Sequence, residues 1–128
     1  MLVYLASPYS SVENKEELLK DLFFIAHDFM RRNKGTTVVS PLFYHYSVNV
    51  IPGVEGDWNF WKNYSIDLLR GCNAMLVNAV DGWDKSIGLQ QEIEFAKSIG
   101  IMITYVSPGM LTTIKRGRQT TGWTDHGI

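Results

Sequence analysis

Position 92 holds the residue most in need of explanation. In SIGLQQEIEFAKSIG, residues 86–100, a helical count of about 100° per residue gathers Leu89, Ile93, Phe95, Ala96 and Ile99 on one broad arc. Glu92 falls inside that arc, while Gln90, Gln91, Glu94, Lys97 and Ser98 lie across from it. A carboxylate on a buried face is costly unless it is paired, protonated or functional. Glu92 also stands in the first turns of its helix, where the macrodipole and open N–H groups favour the ionised form. On the stretch NFWKNYSIDLLRG (59–71), Phe60, Trp61, Tyr64 and Leu68 share a face. Asp67 projects within about 20° of Phe60, at the edge of that apolar arc. Two carboxyls with separated pKa values, one a nucleophile and one a general acid, are the working parts of glycosyl chemistry. The competing reading is that Glu92 tilts to solvent or pairs with a base.

Two loops can supply the rest of a site. ASPYSS (6–11) offers the hydroxyls of Ser7 and Tyr9 and, before a helix, free backbone N–H groups able to hold an anion. It reads equally well as an ordinary, well-capped strand-to-helix turn. PLFYHYSVNVIPGVEGD (41–57) brings Phe43, Tyr44, His45 and Tyr46, with Trp58 and Trp61 close behind in sequence. Such aromatic surface stacks well on a planar heterocycle, or forms a hydrophobic cluster under a long loop. His45 has the chemistry of a general acid or base, and equally of a structural histidine. The histidines at 27, 45 and 126 have no metal-ligand spacing, so neither metal nor other cofactor is expected. No GxGxxG or GxxxxGK occurs.

These residues need a scaffold. LVYLAS (2–7), TTVVS (36–40), AMLVNAV (74–80) and IMITYV (101–106) read as strands. Helices are expected over 11–33, opened by Ser10 with Glu13 or by Ser11, over 59–71, and over the Glu92 stretch. After Pro108 the pattern weakens to one short element, with TTGWTDHGI disordered or packed on a partner. Strand–helix alternation predicts an α/β fold: a single flavodoxin-like domain over 1–128, its parallel sheet of four to five strands in order 2-1-3-4 with helices on both faces. Ligands of such sheets bind beyond the carboxyl ends of the strands, where the loops 7–11, 41–57 and 81–86 converge.

Composition narrows the class. The 128 residues are 45% hydrophobic and 20% charged, with a formal charge of -1. That balance argues against a nucleic-acid partner. Lys115, Arg116 and Arg118 form a short basic run, expected to be a solvated tail. The single cysteine, Cys72, reads as a small core residue, and its solitude points to a reducing cytoplasm. No apolar run approaches the roughly 20 residues that span a bilayer.

YLASPYS after the first strand, Asp67 before a strand ending in NAVDGWDKS, and Ser86-x-Gly88-x-x-x-Glu92 together resemble the nucleoside 2-deoxyribosyltransferase-like superfamily. The resemblance runs over residues 2–106. It includes deoxyribosyltransferases, nucleoside 5'-monophosphate N-glycosidases, and small phage and bacterial proteins with a similar beginning. It implies that Glu92 attacks the anomeric carbon of a sugar and that Asp67 assists departure of the base. It further implies that Gly88 lets backbone approach the ligand, that Ser86 contacts a phosphate, and that Tyr9 lies near the sugar. A first loop without arginine leaves the phosphate to hydroxyls, N–H groups and Lys15 or Lys85. The reading is a cofactor-free, cytoplasmic hydrolase of nucleotide N-glycosidic bonds, working as a homodimer or higher homo-oligomer. A transferase, a non-catalytic nucleotide-binding module and a flavin-binding domain are its competitors.

Overall fold

The computed structural model describes residues 1–44, 52–53 and 58–121, with side chains of the last helix described to residue 117. Four strands, β1 (Leu2–Ala6), β2 (Thr37–Val39), β3 (Ala74–Asn78) and β4 (Met102–Val106), form one parallel sheet in the order β2-β1-β3-β4. The arrangement is the expected α/β, flavodoxin-like one. Register is set by Val3 opposite Val38 and by Val3 opposite Ala74, with Ala74 opposite Met102 on the next pair.

Strand alternation sorts the core into two layers. Val3 and Leu5 of β1 face one way, into a cluster with Leu18, Leu22 and Ile25 of α1 (Lys15–Arg32) and Leu111 of the last helix. Tyr4 and Ala6 face the other way, against Leu69 of α2 (Trp58–Arg70) and Leu89, Ile93 and Ala96 of α3 (Ile87–Ser98). Each layer buries the apolar stripe of two helices.

Two element boundaries differ from expectation. Helix α1 begins at Lys15, not at 11, because Asn14 is its N-cap and accepts from the Glu17 amide at 3.0 Å. Residues 9–12 instead close a separate turn, Val12 N–H donating to the Tyr9 carbonyl at 3.1 Å. The hydroxyls of Ser10 and Ser11 are thereby freed from capping. Beyond Pro108 the chain forms α4 (Pro108–Thr121), a longer element than the weak periodicity suggested. Leu111 and Ile114 pack it onto α1, and Lys115 fastens it there, 2.8 Å from Asp21 and 3.7 Å from Glu17. Lys115 is thus a bridge between helices and not part of a solvated tail. Cys72 is buried, as expected, and burial pushes its thiol up.

Candidate functional site

A cavity of about 70 Å³ opens beyond the carboxyl end of β1, between the first loop, α2 and α3. Its floor is built by β1. Because Leu5 points to the other layer, Tyr4 is turned toward α3, wholly buried. A buried phenol needs a partner. Tyr4 finds it in Glu92, donating its hydroxyl proton to Oε2. Behind it stands the buried Ser65 of α2, whose hydroxyl offsets a small part of the rise in Tyr4. A buried Tyr4–Glu92 pair, with Ser65 beside it, therefore lines the cavity.

Glu92 is only 7% exposed. Burial pushes its carboxyl up to about 7, and the Tyr4 hydrogen bond pulls it down only in part. This corrects the expectation that helix N–H groups hold the group ionised. Glu92 is the sixth residue of α3, past the open amides, and the amides of Leu89 and Gln90 are taken by the Ser86 side chain and carbonyl. The carboxyl is poised near neutrality, able to act as nucleophile, acid or base. Burial and the Glu92 charge raise Tyr4 well above the ordinary phenol range.

Six of the residues expected in the site meet here: Glu92, Ser7, Tyr9, Ser86, Gly88 and Trp61 all line the cavity. Ser7 shapes the loop, accepting from Asn78 Nδ2 at 3.2 Å and donating to the Pro8 carbonyl at 2.9 Å. Ser86 caps α3, its oxygen accepting from the Leu89 amide at 3.4 Å, so its own proton is left to donate into the cavity. Gly82 reaches φ 89° to start the short 3₁₀ turn, Trp83–Lys85, that delivers Ser86. Gly88 also makes room for a side chain. A Cβ there would stand 3.2 Å from Trp58 Cδ2. Gly88 thus admits an indole, and Trp58 is locked by Nε1 donating to Gln91 Oε1 at 3.0 Å.

Asp67 does not join them. Its side chain is 71% exposed and pairs with Arg70 Nη1 at 2.6 Å. The arc drawn through Phe60 and Tyr64 is not the buried one, since those rings are 57% and 43% exposed. The buried face runs through Ser65 and Leu69, and Asp67 stands about 200° round the helix from Ser65. His45 lies outside the described residues. Of its aromatic neighbours, Phe43 stacks on Phe23 of α1 at 4.7 Å, and Tyr44 meets Tyr64 edge-on. The part of that loop before His45 therefore behaves as a hydrophobic cluster.

Tyr4, Ser65 and Trp58 also line the cavity, though spacing alone does not single them out. A tyrosine inside an apolar strand signals a buried hydroxyl that must be matched. Ser65 is four residues after Trp61 and four before Leu69, hence on their face.

Outside the cavity lies a wider groove of about 580 Å³, sharing Ser10, Trp58, Ser86 and Gly88 with it and adding Ser11, Asn59 and Lys85. Of the two lysines considered for an anion, Lys85 lines this groove. Lys15 is turned away, donating to the Val12 carbonyl at 2.7 Å with its ammonium 5.0 Å above the Tyr9 ring. Among the described residues no three His, Cys, Asp or Glu side chains gather as a metal would require, and no helix is long and apolar enough to cross a membrane. A comparison with curated proteins finds no match. The family-level comparison does, over residues 1–107, and the chain belongs to DUF1937, a domain of unknown function.

Proposed function

We propose that this protein hydrolyses the N-glycosidic bond of a nucleoside 5'-monophosphate, with Glu92 as nucleophile. One observation carries the reading: a buried carboxyl, tied to a buried phenol, faces an aromatic-walled cavity that opens into a groove of hydroxyls and one lysine. The sugar sits over Glu92. Glu92 Oε1, the oxygen that Tyr4 leaves open, attacks the anomeric carbon, and the base departs. Water then cleaves the glycosyl ester and restores the carboxylate. Tyr4 holds the carboxyl in one rotamer and favours its charged form. The phosphate lies toward Ser86, Ser10 and Lys85. The motif Ser86-x-Gly88-x-x-x-Glu92, which resembles that of the nucleoside 2-deoxyribosyltransferase-like superfamily, supports the same assignment.

Work in a cytoplasm and self-association belong to this reading. The test of function is a panel of deoxy- and ribonucleoside 5'-monophosphates, with free base followed by chromatography. Wild type releases base and Glu92→Gln does not. A new nucleoside on adding a second free base would make the protein a transferase.

The exposed position of Asp67 favours a second reading, a nucleotide-binding module without turnover. In that case nucleotides raise the melting temperature while no base appears.

A further inference from the structure

We propose that the departing ring of the substrate carries a positive charge shared by its glycosidic nitrogen, as in a pyridinium or an N-alkylated purinium nucleotide. The inference rests on the glycosidase reading and names its substrate class.

The first support is charge complementarity. Among the described residues lining the inner cavity, the carboxyl of Glu92 is the one acid, and there is no lysine, arginine or histidine. Two indoles, Trp58 and Trp61, line it as well. Indole faces attract cations, more strongly where water is excluded. Trp58 is a fixed wall, seated on Gly88 and tethered to Gln91. The cationic side chain of the region, Lys85, lines the outer groove with Ser10, Ser11 and Ser86. Anionic and aromatic inside, cationic and hydroxylated outside, the site complements a molecule with a positive ring at one end and a phosphate at the other.

The second support is the chemistry of leaving. A neutral base departs as an anion unless an acid protonates it. Asp67, the acid expected from the sequence, is held outside by Arg70. The Tyr4 proton is committed to Glu92. A cationic ring needs no acid. As Glu92 Oε1 bonds to the anomeric carbon, the carbon–nitrogen electron pair moves onto the ring nitrogen and cancels its charge. Water then adds to the anomeric carbon, the ester oxygen leaves as the Glu92 carboxylate, and one proton passes to solvent. The products are neutral base, sugar phosphate and that proton.

Matched pairs test this: 7-methylguanosine 5'-monophosphate against guanosine 5'-monophosphate, and nicotinamide mononucleotide against its reduced, uncharged form. The expected result is kcat/KM larger by about 100-fold or more for the charged member of each pair, the advantage that acid assistance otherwise confers. Trp61→Leu should shrink that ratio, and Glu92→Gln should abolish release. For the charged substrates kcat/KM should rise through one acidic limb to a plateau, whereas reliance on a general acid gives a bell. Equal or faster cleavage of the uncharged members would overturn the charged-ring proposal and leave the glycosidase reading intact. Release from neither member of either pair, nor from the monophosphate panel, would overturn both.

Discussion

The two faces of the sheet are built from the same strands and put to different uses. On the α1/α4 face, Val3, Leu5, Val38, Leu76 and Val106 meet leucines and isoleucines. On the α2/α3 face, Tyr4 of β1 is paired with the buried Glu92, with the buried Ser65 close by, among Leu69, Met75 and Leu89. Among the described residues, the other buried polar side chains, Ser7, Ser40 and Asn78, lie where the strands end. One face therefore supplies cohesion, and the other carries a stability cost next to the cavity. A buried carboxyl raised to about 7 is a destabilising group at neutral pH, which is the expected mark of a site held ready for a ligand.

The contrast can be broken from either side. Leu22→Ala, at a fully buried position of α1, should have the largest effect, a loss of about 2–5 kcal/mol in denaturant unfolding, with kcat/KM unchanged wherever the variant is folded. Glu92→Gln should act in the opposite direction. Between the ordinary value of 4.5 and about 7, the folded chain keeps a proton that the unfolded chain has lost, so stability falls as pH rises through that window. The variant escapes this fall and should exceed wild type by about 3 kcal/mol at pH 8, the difference vanishing below about pH 4.5. Thermal unfolding across pH reads it directly. Tyr4→Phe should cost about 1 kcal/mol and push Glu92 further up, moving the acidic limb of the rate profile to higher pH. Asp67→Asn sharpens the comparison by doing least. It should change stability by under about 0.5 kcal/mol and leave base release as in wild type. A large loss of release would return Asp67 to the mechanism.

The fold was legible because parallel strands buried on both faces write continuous apolar runs, as in LVYLA and AMLVN. Handedness and alternation left few strand orders, 2-1-3-4 the favoured one among them. Glu92 was legible for a related reason, since a carboxylate inside an apolar helical arc breaks a pattern. Asp67 misled because α2 is aromatic on its outside. Phe60 and Tyr64 make an apolar stripe that the fold does not bury, and only the sheet decides which arc turns inward. Cap placement at Asn14 was hidden by three eligible side chains within five positions, Ser10, Ser11 and Asn14. The pairing of Trp58 with Gly88 depends on two elements thirty positions apart, and nothing local records it. Packing of α4 on α1 rests on a few apolar anchors and Lys115, too sparse to read as periodicity.

Tyr4 and Glu92 are separated by 88 positions in the chain. Their contact requires β3 to have docked beside β1 and α3 to have folded over it, a non-local event that comes at the end of loop closure and not at its start. An N-terminal fragment, however ordered its first helix, has no reactive carboxyl to offer. Under the proposed function, the chain stays chemically silent on the ribosome or during refolding until this layer is in place. Recovery of base release after dilution from denaturant would then lag the return of helical signal, making turnover a clock for the final folding step.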